Sequence, residues 1–295
     1  MRDIAIYGAG GFGREVACLI NLINHEKPSW NIVGFFDDDP ATKNTKNRYG
    51  EVLGGMAELN SYQSSLAVVI AIADPLTVQK VAEGIRNELI DFPNLIAPGT
   101  VFLDAESVTM GKGNIICSQC LVSCHVEIGN FNIFNGSTSI GHDCRIGDYN
   151  VVMPSVNISG NVTMGNANFL GVKSVVLQML MIGNRVRLGV SSVLMRNAND
   201  GTSYFGNPAE LMNTVQVCSS DMGSFIKKFE DVFEDTDIST LKPETRFREL
   251  EEWTSMIALS TMAMVNVEYD VELTAEEMRS ANTFQELYDT VASHL

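Results

Sequence analysis

The sequence predicts a multidomain fold with an α/β domain first, a parallel β-helix of hexapeptide repeats in the middle and a helical domain last. A Gly-rich turn follows the first strand, an apolar residue recurs at every sixth position from Met110 to Leu194, and the tail combines helical periodicity with many carboxylates. At 295 residues the chain exceeds one average domain. We expect domains over residues 1–100, 101–212 and 219–295, with a short linker around 213–219.

Charge and composition narrow the classes of partner. The chain has a formal net charge of −16, and residues 219–295 contain 17 Asp+Glu and 6 Lys+Arg, a net charge of −11. This balance argues against nucleic acid as a partner and predicts attraction to basic protein surfaces. We find no signal peptide and no apolar run of membrane-spanning length, so the sequence predicts no membrane span and a location in the reducing cytoplasm.

The first hundred residues open with a strand, a Gly-rich turn and a helix. The strand DIAIY is followed by Gly8-x-Gly10-x-x-Gly13 and an apolar-periodic segment. This arrangement presents backbone N–H groups and a helix N-terminus to a phosphate or diphosphate. A second strand, IVGFF, ends in Asp37, Asp38 and Asp39, whose carboxylates are placed to accept hydrogen bonds from a ribose or a base. A solvated turn is the alternative interpretation of this acidic segment.

A third strand, LAVVIAIADP, brings Ala73 and Asp74 to the same carboxyl edge, where ligands collect in open α/β sheets. We expect a helix from near Leu76 and a short strand around Leu95 to complete a small Rossmann-like domain. The domain is too short for a full dinucleotide dehydrogenase domain, which argues against redox chemistry.

The middle of the chain is organised by a six-residue period. Each repeat supplies a short strand and a turn, so three repeats make one triangular coil of about eighteen residues, and residues eighteen apart stack. The apolar positions form inward ladders, and we expect the repeated glycines to occupy tight corners with unusual φ. The fifteen apolar positions are Met110, Ile116, Val122, Ile128, Phe134, Ile140, Ile146, Val152, Ile158, Met164, Leu170, Val176, Ile182, Leu188 and Leu194.

Several cysteines lie within the repeats and invite a zinc interpretation. Cys117, Cys120, Cys124 and His125 include a Cys-x-x-Cys spacing. However, Cys120 and Cys144 fall on the small inward position of the repeat, whereas Cys117 and Cys124 fall on other phases and therefore on different sides of the coil. We accordingly expect structural cysteines and no metal site.

One hexapeptide, Ile140-Gly-His-Asp-Cys-Arg, places two titratable residues at a corner of the coil. Histidine titrates closest to neutral pH of all side chains, so His142 is the candidate general base and Asp143 its orienting partner. Gly160 lies eighteen residues further on and stacks over His142, so its backbone N–H is the candidate oxyanion donor. An exposed corner histidine is the alternative, and the same alternative is favoured for His125, which does not stack with His142.

Four segments together resemble a known family: GAGGFG, FFDDDP, the repeats around IGHDCRIG, and FGNPAEL at 205–211. They are similar to the sugar O-/N-acyltransferases of the sialic acid O-acetyltransferase (NeuD/PglD-like) family, over roughly residues 1–212. The resemblance implies a left-handed β-helix and a homotrimer that binds acetyl-CoA or another acyl-CoA between neighbouring β-helices. It also implies polysaccharide biosynthesis, with a nucleotide-sugar bound against the N-terminal domain.

The resemblance assigns roles to individual positions. His142 is implied as the base and Asp143 as its partner, and the implied acyl-donor contacts are Val172 and Val190. Phe12 and Ala73 stand where many members carry His and Gly, Val190 replaces a typical Gly, and Glu210 stands where a basic residue usually follows Gly-Asn-Pro-Ala. The implied nucleotide-sugar site consists of Gly10, Gly11, Phe12, Asp37, Asp38 and Ala73. The nearest remaining cations are Lys173, Arg185, Arg187 and Arg196.

The acidic tail is predicted to form amphipathic helices. Over about 219–295 it resembles an acyl carrier protein, which is a four-helix bundle. In that family a Ser at the start of the second helix carries 4′-phosphopantetheine, and the matching residue here is Ser255, preceded by Thr254 in place of Asp. A helix N-cap Ser in an interaction domain is the alternative. The helical pattern predicts that Ile257, Leu259, Met262 and Val265 face the core of the bundle, and that Phe225 and Phe229 mark the first helix.

The combined prediction is an acyltransferase fused to its own carrier, which moves an acetyl or other short acyl group to an amine or hydroxyl of a nucleotide-linked sugar. A phosphopantetheinyl transferase and an acyl-loading enzyme are the further expected partners. The alternative is a noncatalytic β-helix trimer that displays carrier domains. We also expect the acidic residues Glu249, Glu251 and Glu252 to dock on Lys173 and Arg187.

Overall fold

The structure, a computed structural model, describes residues 1–43, 45–212, 222–233, 236–269, 271 and 273–294. The predicted linker around 213–219, Cys218 and the predicted start of the last domain at 219 lie outside these residues. The chain divides into two compact units, Met1–Met212 and Asn213–Leu295. Within the described ranges, no helix is both long enough and apolar enough to cross a membrane.

The N-terminal part of the first unit is a six-stranded sheet with helices. The sheet has the order β3-β4-β2-β1-β5-β6, and all neighbours are parallel except the antiparallel pair β3 and β4. Its strands are β1 (Arg2–Tyr7), β2 (Trp30–Phe36), β3 (Lys46–Asn47), β4 (Gly50–Gly54), β5 (Leu66–Ile70) and β6 (Ile90–Asp91). Its helices are α1 (Gly11–Glu26), α2 (Met56–Asn60) and α3 (Pro75–Gly84).

The strand predicted around Leu95 forms but does not belong to this sheet. Leu95–Ile96 pairs with Ile115–Ile116, so it opens the β-helix. The outer strand beside β5 is Ile90–Asp91 instead. The prediction that Leu95 completes the first domain was therefore wrong, because a two-residue strand carries too little local pattern to reveal its pairing partner.

The β-helix consists of two-residue strands stacked in three faces. Its first face has the order β25-β24-β22-β19-β16-β13-β10-β7, its second face β23-β20-β17-β14-β11-β8, and its third face β21-β18-β15-β12-β9. The strands are β7 (Leu95–Ile96), β8 (Val101–Phe102), β9 (Thr109–Met110), β10 (Ile115–Ile116), β11 (Leu121–Val122), β12 (Glu127–Ile128), β13 (Ile133–Phe134), β14 (Ser139–Ile140), β15 (Arg145–Ile146), β16 (Val151–Val152), β17 (Asn157–Ile158), β18 (Thr163–Met164), β19 (Phe169–Leu170), β20 (Val175–Val176), β21 (Met181–Ile182), β22 (Arg187–Leu188), β23 (Val193–Leu194), β24 (Ser203–Phe205) and β25 (Glu210–Met212).

The predicted stacking of residues eighteen apart is confirmed. Ile140 pairs with Ile158 and Ile158 with Val176, in parallel register. Of the fifteen apolar repeat positions, all are buried except Met110, which is half-buried at the start of the stack. The small positions also point inward, since Cys120, Thr138, Cys144, Val156, Val162 and Ser174 are buried. The six-residue period therefore encodes the core directly.

The corners of the β-helix differ from the prediction for the glycines. Positive φ values fall on residues other than glycine at every sixth position, for example Asp143 (φ 59°) and Asn161 (φ 58°). From Phe131 onward, the N–H of each such residue bonds to a carbonyl nineteen residues earlier, as in Asn161 to His142 (2.7 Å) and Asp143 to Cys124 (3.1 Å). These repeated bonds hold the left-handed conformation without glycine.

The repeated glycines are needed for close approach between coils. A Cβ added to Gly147 would lie 2.2 Å from Asn166 Oδ1 and 2.8 Å from the Gly165 oxygen. The same asparagine accepts a hydrogen bond from the Asp148 N–H at 2.7 Å. The glycine therefore makes room for a side chain that ties one coil to the next, and the expected unusual φ at these glycines was wrong.

We expect Gly147→Ala to destabilise the first unit by about 1–3 kcal/mol, the usual cost of overpacking, because backbone atoms block the added methyl group. Thermal unfolding followed by circular dichroism measures the effect. Gly136→Ala is the control, since a Cβ there would meet only the Ser118 oxygen at 3.4 Å. Equal unfolding midpoints for the two variants would contradict this explanation of the glycine repeat.

The second unit contains four α-helices among its described residues. They are α4 (Met222–Lys227), α5 (Ser255–Tyr269), α6 (Ala275–Ser280) and α7 (Phe284–His294). Short 3-10 helices lie at Lys228–Asp231, Ile238–Thr240 and Phe247–Glu249. An aromatic core joins these elements, with the Phe229 and Phe284 rings 4.8 Å apart and the Phe247 and Trp253 rings 4.5 Å apart.

The predicted inward positions of the second unit are only partly correct. Phe225, Phe229 and Val265 are fully buried, and Ile257 and Met262 are half-buried. Leu259 is 61% exposed. The prediction for Leu259 was wrong because α5 is apolar on more than one side, so the spacing of its apolar residues does not identify the buried side.

Candidate active site

The centre of the candidate site is the corner between the second and third faces, where His142 and Asp143 follow strand β14. His142 Nδ1 lies 2.7 Å from Asp143 Oδ2, and the two side chains are 62% and 56% exposed. A neutral His142 that donates from Nδ1 to this carboxylate presents Nε2 as a proton acceptor. The pair is therefore oriented for general base chemistry toward solvent.

Gly160 stacks on this pair as the eighteen-residue spacing predicts. A Cβ on Gly160 would lie 2.6 Å from His142 Nε2, so the imidazole rests directly against the glycine backbone. Gly141 likewise lacks a side chain that would come within 2.5 Å of the Gly160 nitrogen. Among the described residues, the Gly160 N–H has no hydrogen-bond acceptor. This N–H is thus free to bind a ligand oxygen beside the base.

A polar groove of about 510 Å³ extends from Asp143 over the third face. His125 lies in it, one coil below Asp143, and its N–H is held by Ser107 Oγ at 2.8 Å. Arg145 Nε and Glu127 Oε1 form an ion pair of 3.5 Å across neighbouring coils. His125 therefore lines the same side of the corner as Asp143, although the sequence separates it from the His142 column.

The cysteines lie where their repeat phases predict. Cys120 and Cys144 are buried, and Cys117 and Cys124 are half-buried. Burial raises the pKa of the Cys117 thiol to about 12. The described residues contain no cluster of three or more His, Cys, Asp or Glu side chains with the geometry of a metal site.

A second cavity, of about 330 Å³, lies at the carboxyl edge of the N-terminal sheet. Of the six residues predicted for the nucleotide-sugar site, it brings together Gly10, Gly11, Phe12, Asp37 and Asp38. Ala73 is exposed and does not line the cavity, whose wall is formed by Ala71 and Ile72 instead. Gly10 caps α1 without a side-chain hydrogen bond, so the first N–H groups of this helix face the cavity uncapped.

The carboxylates of Asp37 and Asp38 bind the protein's own chain. Asp37 accepts from the Ala9 N–H (2.7 Å) and the Asp39 N–H (2.9 Å). Asp38 accepts from the Met56 N–H (2.8 Å) and from the Tyr7 hydroxyl (2.5 Å). These bonds fix the Gly-rich turn and the start of α2, so the two carboxylates hold the cavity wall in place.

Tyr7 is a cavity residue that sequence reasoning missed. Burial, followed by its bond to Asp38, raises the pKa of Tyr7 far above its usual range, so the hydroxyl remains a donor. Its position as the last residue of β1, directly before the Gly-rich turn, was the available signal. The sequence did not indicate which carboxylate this hydroxyl would bind.

The predicted donor residues lie at a different corner from His142. Val172 and Val190 are at the corner between the first and second faces, where the Ser191 N–H bonds to the Val172 oxygen (2.8 Å). His142 is at the opposite edge of the second face, since β14 belongs to that face and β15 to the third. One copy of the chain therefore does not bring the three residues together.

Ser255 is the exposed first residue of α5. The cap of this helix comes from Thr254, whose side-chain oxygen accepts a hydrogen bond from the Ile257 N–H at 3.3 Å. The N-cap of α5 is therefore Thr254 and not Ser255. Met256 (72% exposed) and Leu259 lie beside it.

Two of the three glutamates expected to dock are engaged inside the second unit. Glu249 Oε1 pairs with Arg246 Nη1 at 3.2 Å. Glu252 Oε2 accepts hydrogen bonds from the N–H and the hydroxyl of Thr236, at 3.1 and 2.7 Å. Of the residues they were expected to meet, the Arg187 guanidinium stacks over the Phe169 ring at 5.1 Å.

Residues 3–85 match the family model for the PglD N-terminal domain. No curated protein sequence matches the chain at a significant level.

Solved structures resemble the first unit over nearly their whole length. WeeI from Acinetobacter baumannii AYE is 27% identical, with 72% of this chain and 100% of that chain covered and a TM-score of 0.64. The acetyltransferase domain of PglB from Neisseria gonorrhoeae FA1090, in complex with acetyl coenzyme A, is 26% identical over 72% and 99%, with a TM-score of 0.63. PerB from Caulobacter crescentus, in complex with CoA and GDP-perosamine, is 25% identical over 72% and 98%, with a TM-score of 0.63. These likenesses support one enzyme class for this chain, a sugar acyltransferase.

Proposed function

We propose that the chain transfers an acyl group from a thioester to an amine or hydroxyl of a nucleotide-linked sugar, with His142 as the general base. The observation that carries this proposal is the His142–Asp143 pair, at 2.7 Å, beside the free Gly160 N–H. A base and an oxyanion donor at one corner are the two groups that acyl transfer requires.

The chemistry follows from these positions. His142 Nε2 removes a proton from the acceptor as its nitrogen or oxygen attacks the thioester carbonyl. The Gly160 N–H stabilises the oxyanion, while Asp143 stabilises the imidazolium. Collapse of the tetrahedral intermediate breaks the carbon–sulfur bond, and the departing thiolate takes the proton from His142. The products are the acylated sugar and a free thiol.

The acceptor site in this proposal is the cavity lined by the Gly-rich turn and Phe12. The uncapped N-terminus of the sixteen-residue helix α1 suits a diphosphate, because its N–H groups carry partial positive charge. PerB binds GDP-perosamine, which supports a nucleotide-linked amino sugar as the acceptor class. Incubating the chain with acetyl-CoA and a panel of nucleotide amino sugars, read out by mass spectrometry, tests the class.

The proposed active enzyme is a homotrimer. His142 and the donor residues Val172 and Val190 lie at opposite edges of the second face, so a donor that contacts both sets must lie between two copies. We expect a trimeric mass at micromolar concentration by light scattering. A monomer that retains full transferase activity would contradict the site between copies.

The proposed donor includes acyl-phosphopantetheine on Ser255, besides free acyl-CoA. The exposed position of this serine at the start of α5 and the presence of both units in one chain support the proposal. Joining the donor and the active site in one chain gives an effective concentration of order millimolar, which favours even a weak contact. The exposed apolar side chains beside Ser255, Met256 and Leu259, favour apolar contacts in addition to the electrostatic docking expected from the sequence.

We expect the wild type, loaded with an acyl-phosphopantetheine, to transfer its acyl group to the sugar without added acyl-CoA, whereas Ser255→Ala transfers only from acyl-CoA. Mass spectrometry of the intact protein and of the sugar measures both steps. Ser260→Ala, an exposed serine on the same helix, is the matched control. If the loaded wild type transfers nothing, and the wild type and Ser255→Ala use acyl-CoA equally well, the fused donor is ruled out.

A further inference from the structure

We propose that an exposed apolar strip beside His142 binds the alkyl chain of the acyl donor, so that the enzyme prefers acyl groups longer than acetyl. The strip consists of Leu177, Met179, Met181 and Met195. This inference rests on the proposed acyl transfer and extends it to the class of donor.

The strip begins in the coil next to the reacting groups. The His142 ring rests against Gly160, and the Met179 N–H bonds to the Gly160 oxygen at 3.0 Å. Adjacent coils are about 4.8 Å apart. A thioester whose carbonyl oxygen binds the Gly160 N–H therefore places the first methylene groups of its chain within reach of the strip.

The exposed fractions of the four strip side chains show that the described residues of the unit do not cover them. Leu177 is 37% exposed, Met179 66%, Met181 61% and Met195 49%. A single exposed apolar side chain needs no explanation, but four neighbouring ones mark a binding surface. Methionine is unbranched and flexible, which suits a mobile alkyl chain.

The outer surface of the β-helix changes from polar to apolar side chains above the catalytic coil. Below Met179, the positions eighteen and thirty-six residues earlier are Asn161 and Asp143. Below Leu177 they are Ser159 and Gly141. The positions on either side of the His142 column thus change from polar at the catalytic coil to apolar above it, while the column itself continues with Gln178 and Arg196.

The alkyl chain fits this surface better than the pantetheine arm. Pantetheine carries two amides that need hydrogen-bond partners, whereas the four strip side chains offer none. Leu177 and Met179 of the strip also flank Gln178, the residue that stacks over Gly160, whose N–H must bind the carbonyl oxygen of the acyl group and not the far end of the arm.

The test compares octanoyl-pantetheine with acetyl-pantetheine on the full-length chain. Each buried methylene contributes about fourfold in affinity, so we expect octanoyl-pantetheine to exceed acetyl-pantetheine by more than tenfold in kcat/KM and in binding by calorimetry. The double variant Leu177→Ser, Met179→Gln should lose this preference. Leu103→Ser should retain it, because the 62% exposed Leu103 precedes the catalytic coil on the same face.

Each outcome decides the inference. Equal binding of the two donors to the wild type overturns it, even where acetyl transfer proceeds and the proposed function stands. If no transfer occurs with any sugar, the proposed function fails, and calorimetry still decides whether the strip binds the chain. A double variant that changes the oligomeric mass while keeping the octanoyl preference shows that the strip is a contact between copies, which also overturns the inference.

Discussion

Replacing His142 by Ala is expected to lower kcat/KM for acyl transfer by about 10²–10⁴-fold, the usual contribution of a general base. The loss follows because His142 Nε2 lies 2.6 Å from where a Gly160 Cβ would be, next to the backbone whose N–H is the proposed oxyanion donor. Steady-state release of CoA from acetyl-CoA, with a nucleotide amino sugar as acceptor, measures the rate.

The control for this substitution is His125→Ala. His125 lies one coil below Asp143, in the polar groove, and does not touch Gly160. We expect near wild-type turnover from this variant. If His142→Ala turns over a confirmed substrate at the wild-type rate, His142 is not the base, and the alternative of a noncatalytic trimer that displays carrier domains gains support.

Replacing Gly160 by Ala is expected to lower kcat by about a hundredfold while leaving the fold intact. The added methyl group would lie 2.6 Å from His142 Nε2, so the exposed imidazole must rotate away from its position beside the oxyanion donor. A misplacement of about 1 Å in a reacting group costs roughly this factor. The unfolding midpoint should change little, because the atom that must move is the end of an exposed side chain.

Measuring kcat and thermal unfolding on the same preparation separates these effects. Gly136→Ala serves as the control, since Gly136 also lies at a corner but a Cβ there meets only the Ser118 oxygen at 3.4 Å. Full activity in Gly160→Ala would show that the imidazole and the glycine do not act together. A large fall in the unfolding midpoint would instead assign the loss to folding.

The repeat determined the middle of this protein from the sequence alone. A six-residue apolar period has one compact solution, in which residues eighteen apart stack, so Ile140, Ile158 and Val176 had to share one inward ladder. The same arithmetic placed Gly160 over His142 and separated Cys120 from Cys124. Local periodicity suffices here because each coil repeats the contacts of the one before.

Elsewhere the tertiary structure decided what the sequence left open. Asp37 and Asp38 stand at the predicted edge, but only the folded chain shows that their oxygens bind Ala9, Met56 and Tyr7. Leu95 likewise pairs with Ile115 of the β-helix and not with the N-terminal sheet. The sequence of a two-residue strand does not indicate which of two sheets it joins. Such contacts join segments far apart in the chain, and no local pattern records them.

The glycines and the methionines show the same difference between what the sequence pattern indicates and what the tertiary structure decides. The sequence marked Gly147 as special, but the reason, an Asn166 side chain at 2.2 Å from an added Cβ, arises from contact between coils and not from φ. The position of Met179 beside Gly160, above the His142 coil, likewise follows from stacking around a corner. Sequence period fixes which side a residue faces, and the neighbours on that side are set only when the coils close on one another.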